Sequence, residues 1–104
     1  MGDSEIKRKE DTVLKEREKT ITPQMYRVIL LNDDYTTMDF VVDVLMKFFN
    51  KNASEATKIM IDVHKKGNGV CGIYTYDIAV TKVNQVVKYA RNNEFPLKCD
   101  YEKA

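Results

Sequence analysis

The stretch "MYRVILLNDDYTTMDFVVDVL", residues 25–45, combines a strand pattern, a turn signal and the start of a helix. Residues 25–31 are rich in β-branched and aliphatic side chains, which predicts a strand buried largely on both faces. The Asn-Asp-Asp run after them is typical of a turn. Thr36, followed three residues later by Asp39, is a variant of the capping box, and apolar residues then recur at helical spacing. We therefore expect a first helix over about residues 37–50.

The next two elements have boundary signals of their own. Asn52 with Glu55 repeats the helix-start pattern, and Gly67 is a typical helix stop. The second helix is accordingly expected over about residues 53–66. The segment "GVCGIYTY", residues 69–76, has the composition of a strand.

The last two elements complete the predicted fold. Thr75 or Asp77 can cap a third helix, which is expected to end near Asn93. The segment "PLKCDYEK", residues 96–103, alternates apolar and charged side chains, which indicates a strand with one solvated face. The order β-α-α-β-α-β predicts an α+β fold, a two-layer sandwich in which a three-stranded antiparallel sheet packs on three helices.

Length and local composition predict how the chain is divided. With 104 residues it can form one domain with a modest core. Residues 1–24 carry six basic and six acidic side chains among only scattered apolar ones, so they cannot bury enough apolar surface to offset the entropy of ordering. We expect a flexible charged N-terminal extension at 1–24 and the folded domain at 25–104.

Composition also excludes several classes of function. Seventeen basic and 16 acidic residues give a net charge of +1, which provides no overall field for nucleic acid or an acidic membrane. Two cysteines, Cys71 and Cys99, are too few for a disulfide framework or a thiolate metal cluster. No apolar run reaches the ~20 residues of a membrane span, and the N-terminus lacks a signal-peptide core. An intracellular protein without a metal or cofactor is expected.

The acceptor-rich loop after the first strand admits two interpretations. Asn32 and Asp33 can form an Asx-type turn, with Asp34 and Asp39 complementing the positive end of the first helix. The same carboxylates can instead bind a ligand. A Ca²⁺ loop is not indicated, because its ligands alternate with spacers and require a glycine at the bend. The residues by themselves favour the turn.

A catalytic site receives little support from the sequence. His64 is the only histidine, and a lone histidine on a helix is usually packed or solvated. A Cys-His pair requires an exposed thiol at Cys71 or Cys99, whereas both lie in predicted strands. No phosphate-binding glycine loop or Ser-His-Asp arrangement is present. We therefore expect a protein that is not an enzyme.

Four segments together resemble one family, the ClpS adaptors, which bind N-degrons for a AAA+ unfoldase. The segments are "YRVILLNDDYTTMDFVVDVL", "ATKIMIDVHKKGNGVCGIYT", "AVTKV" and "YARNNEFPLKC", and the resemblance covers residues 25–104 in the family's order. One departure is Thr37, where the family more often has proline at the first helical position. Thr lacks the fixed φ of proline, so this helix start is expected to be less rigid.

The resemblance implies a substrate and a site. ClpS adaptors bind proteins whose first residue is Phe, Tyr, Trp or Leu, through a side-chain pocket and acceptors for the free α-amino group. By position in the motifs, Asn32, Asp33 and His64 hold the α-amino group, and Met38 controls entry to the pocket. The loop and hydrophobic pocket are then formed by Leu31, Asp34, Thr36, Met38, Val41, Met60, Val63 and Leu97.

The resemblance also implies a partner and a location. Asp77 and Lys82, around the start of the third helix, align with the family's docking face for the N-terminal domain of a ClpA-type or ClpC-type unfoldase. A monomer in the bacterial cytoplasm is expected, and the tail is expected to help deliver substrate. The competing interpretation is a ribosomal-stalk-type domain that recruits translation factors, because fold alone does not separate the two. The acceptor loop with His64 favours the adaptor.

Overall fold

The computed structural model describes residues 22–104. Most of the predicted flexible extension, residues 1–21, therefore lies outside the described residues. The elements are β1 (Met25–Leu31), α1 (Met38–Phe49), α2 (Ala53–Lys66), β2 (Asn68–Thr75), α3 (Tyr76–Asn92) and β3 (Lys98–Lys103). This confirms the predicted order, and each boundary lies within about two residues of its prediction.

The three strands form one antiparallel sheet in the order β2-β1-β3. The central strand β1 pairs with both neighbours: Leu30 lies opposite Cys99 of β3, and Leu31 lies opposite Asn68 of β2. The predicted α+β sandwich with a three-stranded antiparallel sheet is confirmed.

The prediction that β1 is buried largely on both faces is wrong. Val28 and Leu30 are fully buried against the helices, whereas Ile29 on the opposite face is only partly buried. On β2, Val70 pairs with Ile29 and is exposed, as is Ile73 nearer the end of that strand. In a two-layer fold the helices cover one face of the sheet, so an apolar run does not imply a strand covered on both sides.

The N-cap of helix α1 lies one residue after the predicted capping residue, Thr36. Thr37, with extended φ and ψ of −73° and 153°, is the N-cap, and its Oγ1 accepts a hydrogen bond from the Phe40 N–H at 3.2 Å. Thr36 instead bonds within the preceding loop. The Asn52–Glu55 capping box of α2 is present as predicted. Thr75 occupies the N-cap position of α3 without a side-chain hydrogen bond.

The core lies between the sheet and the helices. Among residues 22–104, fifteen apolar side chains are buried: Val28, Leu30, Phe40, Val41, Val44, Leu45, Phe49, Ala56, Val63, Cys71, Ala79, Val86, Ala90, Leu97 and Cys99. Gly69 allows α2 to approach β2 closely, because a Cβ there would lie 2.8 Å from Val63 Cγ2 and 3.0 Å from the Ile59 carbonyl oxygen. Across residues 22–104, no helix is both long and apolar enough to cross a membrane.

One corner of the fold brings the end of β1 beside the end of α2. The pairing of Leu31 with Asn68 places the start of β2, and therefore the last turn of α2, next to the loop after β1. The Asn32 N–H donates to the Gly67 carbonyl oxygen at 2.9 Å, and Gly67 adopts the left-handed conformation with φ of 90°. This corner is where the predicted loop residues and His64 meet.

Candidate functional site

A cavity of about 410 Å³ opens at this corner, between the loop after β1, the start of α1 and the last turns of α2. Its volume lies in the lower part of the roughly 300–1,000 Å³ range of small-ligand pockets. Its lining consists of Asn32, Asp33, Asp34, Tyr35, Thr36, Thr37, Met38, Val41, Met60, Val63 and His64. The lining is therefore polar on the loop side and apolar where the two helices face each other.

Asp33 organises the polar side. Its Oδ1 accepts hydrogen bonds from the backbone N–H groups of Tyr35 at 2.8 Å and Thr36 at 2.7 Å, which is the predicted Asx-type turn. Its Oδ2 accepts a third hydrogen bond, at 2.6 Å, from the Thr36 hydroxyl. Each carboxylate oxygen has two lone-pair sites, so Oδ2 retains capacity for one further donor. The turn and a ligand-binding role are therefore compatible.

These contacts keep Asp33 ionised. Partial burial would by itself raise the pKa of Asp33, but the hydrogen bonds from the Thr36 hydroxyl and from the Thr36 and Tyr35 backbone outweigh it, helped by the charge of Arg91. The net result is a pKa below the usual value for an aspartate. With Asp34 also in the lining, the polar side is negatively charged and suits a cation.

The apolar side is formed by two short helical stripes. Met38 and Val41 lie three residues apart on the first turns of α1, and Met60 and Val63 lie three apart on α2. Val41 and Val63 are buried, while 48% of Met38 remains exposed. Exposed His64 follows Val63 directly, so the α2 wall changes from apolar to polar at its C-terminal end. A ligand that fits this cavity has a cationic group beside a compact apolar one.

Nine of the predicted site residues line the cavity: Asn32, Asp33, Asp34, Thr36, Met38, Val41, Met60, Val63 and His64. Leu31 and Leu97 do not. Leu31 is half-buried in the sheet, and Leu97 is only 1% exposed within the core. Their assignment to the pocket stays a prediction.

Sequence reasoning missed two lining residues, Tyr35 and Thr37. Both belong to the continuous loop that carries the acceptors, and that continuity was the available signal. Tyr35 is 79% exposed at the cavity mouth, and Thr37 lies there because it caps α1.

The two predicted docking residues differ in their surroundings. Asp77 is exposed in the first turn of α3. Lys82 is half-buried, and its Nζ donates to the carbonyl oxygen of Phe48 at 2.7 Å and lies 5.9 Å from the centre of the Tyr74 ring. Lys82 therefore caps the last turn of α1, besides any role at the surface.

The thiols offer no reactive group. Cys71 and Cys99 are free and buried. Burial raises the pKa of Cys99 to about 12 and that of Cys71 further above its usual value, so neither forms a thiolate near neutral pH. Among residues 22–104 no cluster of three or more possible metal ligands is present. A Cys-His catalytic pair is not formed.

Known proteins resemble the chain over most of its length. The family model for the ATP-dependent Clp protease adaptor protein ClpS matches residues 21–100. The ClpS adapter protein of Syntrophus aciditrophicus is 62% identical over 86 residues, which cover 83% of this chain and 80% of that protein. The ClpS adapter of Phenylobacterium zucineum is 54% identical over 102 residues, covering 98% of this chain and 94% of that protein.

A solved structure agrees with the sequence matches. Agrobacterium tumefaciens ClpS2 bound to L-phenylalaninamide superposes with a TM-score of 0.77 at 34% sequence identity. The match covers 79% of this chain and 99% of that chain.

Proposed function

The chain belongs to the ClpS family of ATP-dependent Clp protease adaptors, and we propose that it binds N-degron proteins by their first residue. The ligand is a free α-amino group together with a bulky hydrophobic side chain of Leu, Phe, Tyr or Trp. The chain is an adaptor and not an enzyme. The observation that carries the specificity is a cavity in which charged acceptors adjoin an apolar niche.

The polar side of the cavity suits an α-ammonium group. An ammonium offers three N–H donors and a positive charge, whereas an internal peptide offers one N–H and an acetylated terminus has no charge. Asn32, Asp33 and His64 all line the cavity and can supply three acceptors. The ionised donor makes all three hydrogen bonds charge-assisted, and because Asp33 is held as a carboxylate, the one to Asp33 joins two opposite charges. A chain start is therefore preferred over an internal residue.

The apolar side supplies the rest of the affinity. Burying a Leu or Phe side chain contributes about 1.5–3 kcal/mol, and a hydrogen bond to a charged group contributes about as much. A micromolar complex requires about 8 kcal/mol. In the middle of these ranges, three hydrogen bonds contribute about 7 kcal/mol and the side chain about 2 kcal/mol, so the first residue is bound with micromolar affinity only when both are present.

Met38 is the proposed gate for the first side chain. It is 48% exposed and lines the cavity with Val41 directly below it on the same helix face. A β-branched residue such as Ile is widest at its Cβ and collides with a narrow mouth, whereas Leu branches one atom further in. Leu is therefore preferred to Ile.

The ligand of the Agrobacterium protein supports this assignment. L-Phenylalaninamide carries a free α-amino group, a phenylalanine side chain and an uncharged amide where a peptide chain would continue. It thus has the chemistry of a chain start. The family matches also favour the adaptor over a ribosomal-stalk-type domain, since the curated relatives are adaptors of a protease.

A peptide panel tests the proposal directly. Short fluorescent peptides that differ only in their first residue, each with a free and an acetylated N-terminus, are titrated by fluorescence anisotropy. We expect binding for Leu, Phe, Tyr and Trp, loss on acetylation, and weak binding for Ile and Val. Asp33→Ala should abolish the preference for the free amine. Asp39 is an acidic residue outside the cavity lining, so the Asp39→Ala variant should keep that preference. Equal binding of acetylated peptides would refute the proposal.

Delivery requires a second surface. We assign unfoldase docking to the surface around the start of α3, with Asp77 and Lys82. The partner is the N-terminal domain of a ClpA-type or ClpC-type unfoldase in the bacterial cytoplasm. The adaptor acts as a monomer. The charged segment 1–24 then serves the transfer of substrate. Its deletion should leave peptide affinity within about twofold, because every residue assigned to the ligand lies between positions 31 and 97, and should stop degradation of a Leu-headed reporter by the reconstituted protease. Continued degradation would remove that role.

A further inference from the structure

Helix α1 presents two opposite faces. Met38 and Val41 line the cavity. Phe40, Asp43 and Lys47 follow each other at intervals of three and four residues and therefore share another face. Phe40 lies two positions after Met38, about 200° around the helix. The side chains on this second face contact α3 rather than the cavity.

Tyr89 of α3 is the centre of those contacts. Its ring stacks on Phe40 with centroids 5.3 Å apart and an interplanar angle of 14°, and meets Phe48 edge-on at 5.2 Å. Lys47 Nζ lies 4.2 Å from the centre of the same ring. The phenol donates to Asp43 Oδ2 at 2.6 Å. One side chain of α3 thus contacts α1 from its first turn to its last.

A second aromatic ring packs against the start of α1. Phe95, in the turn after α3, packs on Phe40 with centroids 4.5 Å apart. The turn itself is held by its own hydrogen bonds: the Phe95 N–H donates to the Ala90 carbonyl oxygen, and Arg91 donates to the Phe95 carbonyl oxygen, both at 2.9 Å. Phe40 is therefore packed against two aromatic rings, and its place relative to α3 is well defined.

We propose that Tyr89 is a positioning residue for the first-residue pocket. From the far side of α1 it determines how closely Met38 and Val41 approach Met60 and Val63, and hence how strongly the cavity distinguishes Leu from a β-branched first side chain. This inference rests on the proposed function and extends it to a residue that touches neither the amine nor the side chain of the ligand.

The coupling follows from the stiffness of a helix. Met38 and Val41 belong to the same rigid element as Phe40 and Asp43, so a shift of α1 toward α3 moves the whole apolar wall away from α2. Leu and Ile contain the same atoms and differ only in where they branch. Their discrimination therefore depends on the width of the cavity rather than on the number of contacts.

The deciding measurement is the ratio of affinities for Leu-headed and Ile-headed peptides. Tyr89→Leu removes the ring and its hydrogen bond, and we expect the ratio to fall by about tenfold, the lower end of what close packing gives for one methylene group. The preference for a free over an acetylated amine should stay unchanged, because the acceptor loop is not in contact with Tyr89. Unfolding monitored by circular dichroism establishes whether the variant is folded at the assay temperature.

Two further variants test the hydrogen bond without touching the core. Asp43→Ala removes the acceptor from the exposed face of α1, and the ratio should fall by about two- to tenfold, the range for one lost hydrogen bond. Asp43→Asn retains an acceptor and should restore the wild-type ratio. If Tyr89→Leu does not fold, the Leu-to-Ile ratios of these two Asp43 variants test the inference.

Tyr101→Phe is the control. It also removes a phenol hydroxyl, but the ring contacts of Tyr101 are with Tyr26 and Tyr76 rather than with α1. Its Leu-to-Ile ratio should equal that of the wild type. An unchanged ratio in folded Tyr89→Leu and in Asp43→Ala, or an equal fall in Tyr101→Phe, overturns this inference alone. A wild-type protein that does not discriminate between free and acetylated peptides overturns the proposed function and this inference together.

Discussion

Asp33 shows how a turn residue is also a binding residue. Three of its four lone-pair sites serve the loop, through the backbone of Tyr35 and the backbone and hydroxyl of Thr36. The contacts that shape the loop also lower the pKa of Asp33 and so maintain the charge that an ammonium requires. The structural and functional interpretations of the acceptor loop are therefore not alternatives.

Thr36→Val tests this dual use. The substitution keeps the size of the side chain and the backbone bond but removes the hydroxyl donor to Asp33 Oδ2, so the pKa of Asp33 should rise toward its usual value. The stabilisation of the carboxylate is present above the ordinary carboxyl pKa and is lost as pH falls through the lowered one. Binding of a Leu-headed peptide should therefore fail at higher pH in Thr36→Val than in the wild type, as measured by anisotropy on acidification. Thr36→Ser, which retains the hydroxyl, should follow the wild-type curve.

His64 can be tested as an acceptor in its own right. A neutral imidazole accepts one hydrogen bond through its unprotonated ring nitrogen, so His64→Ala should weaken binding of a Leu-headed peptide by about two- to tenfold, the range for one lost hydrogen bond, and leave the fold intact. His64→Gln retains a side-chain acceptor and should bind more tightly than His64→Ala. Fluorescence anisotropy of both variants measures the difference, and wild-type affinity in His64→Ala would remove the residue from the site.

At the scale of elements, the ends of the helices determine which side chains are available to the cavity. Thr37 stops α1 from extending into the acceptor loop, which leaves Thr36 free to bond Asp33. At the other end of α1, Lys82 of α3 caps the Phe48 carbonyl. The residue assigned to docking is thus also a contact between two helices, and its substitution acts on both.

Lys82→Met separates these effects. Loss of a cation at a helix C-terminus costs about 0.3–1 kcal/mol, and up to about 2 kcal/mol where the contact is partly buried, so the free energy of unfolding should fall by about 1 kcal/mol. Asp77→Asn, on the exposed first turn of α3, should stay within about 0.5 kcal/mol. Urea unfolding of both variants gives the comparison. Equal stabilities of Lys82→Met and the wild type would show that the cap contributes nothing.

At the scale of the whole molecule, core and cavity are largely different sets of residues. Leu97 is buried beneath the helices, whereas Met38 is half-exposed at the cavity mouth. Within the described part of the chain, only Val41 and Val63 are both buried in the core and part of the lining. Stability and recognition can therefore be altered separately at most positions.

Leu97→Ala and Met38→Ala form the corresponding pair. The first leaves a cavity in the core and should lower the free energy of unfolding by about 2–5 kcal/mol. The second removes a partly exposed side chain and should change stability by about 1 kcal/mol or less, while weakening the preference for Leu over Ile. Chemical unfolding and the peptide panel, carried out on both proteins, measure the two effects. A large loss of stability in Met38→Ala would place that residue in the core instead.

Local pattern was sufficient for the elements of this protein, because helix and strand depend on the spacing of neighbouring residues. The Asn52–Glu55 capping box and the stop at Gly67 are such local signals. The one-residue error at Thr36 arose because two adjacent threonines can each cap a helix, and only the bond from Thr36 to Asp33 decides between them.

The assembly of the site was decided by tertiary structure. His64 lies more than thirty residues from Asp33 in the chain, and the pairing of Leu31 with Asn68 is what brings the two together. Leu97 is assigned to the pocket by its position in a motif, and packing buries it in the core outside the lining, since burial depends on which elements cover a residue. No local sequence pattern predicts the contact of Tyr89 with α1, because its hydrogen bond to Asp43 joins side chains 46 residues apart. Sequence specifies which residues are available to a site, and only the packing of helices on the sheet selects those that share a cavity.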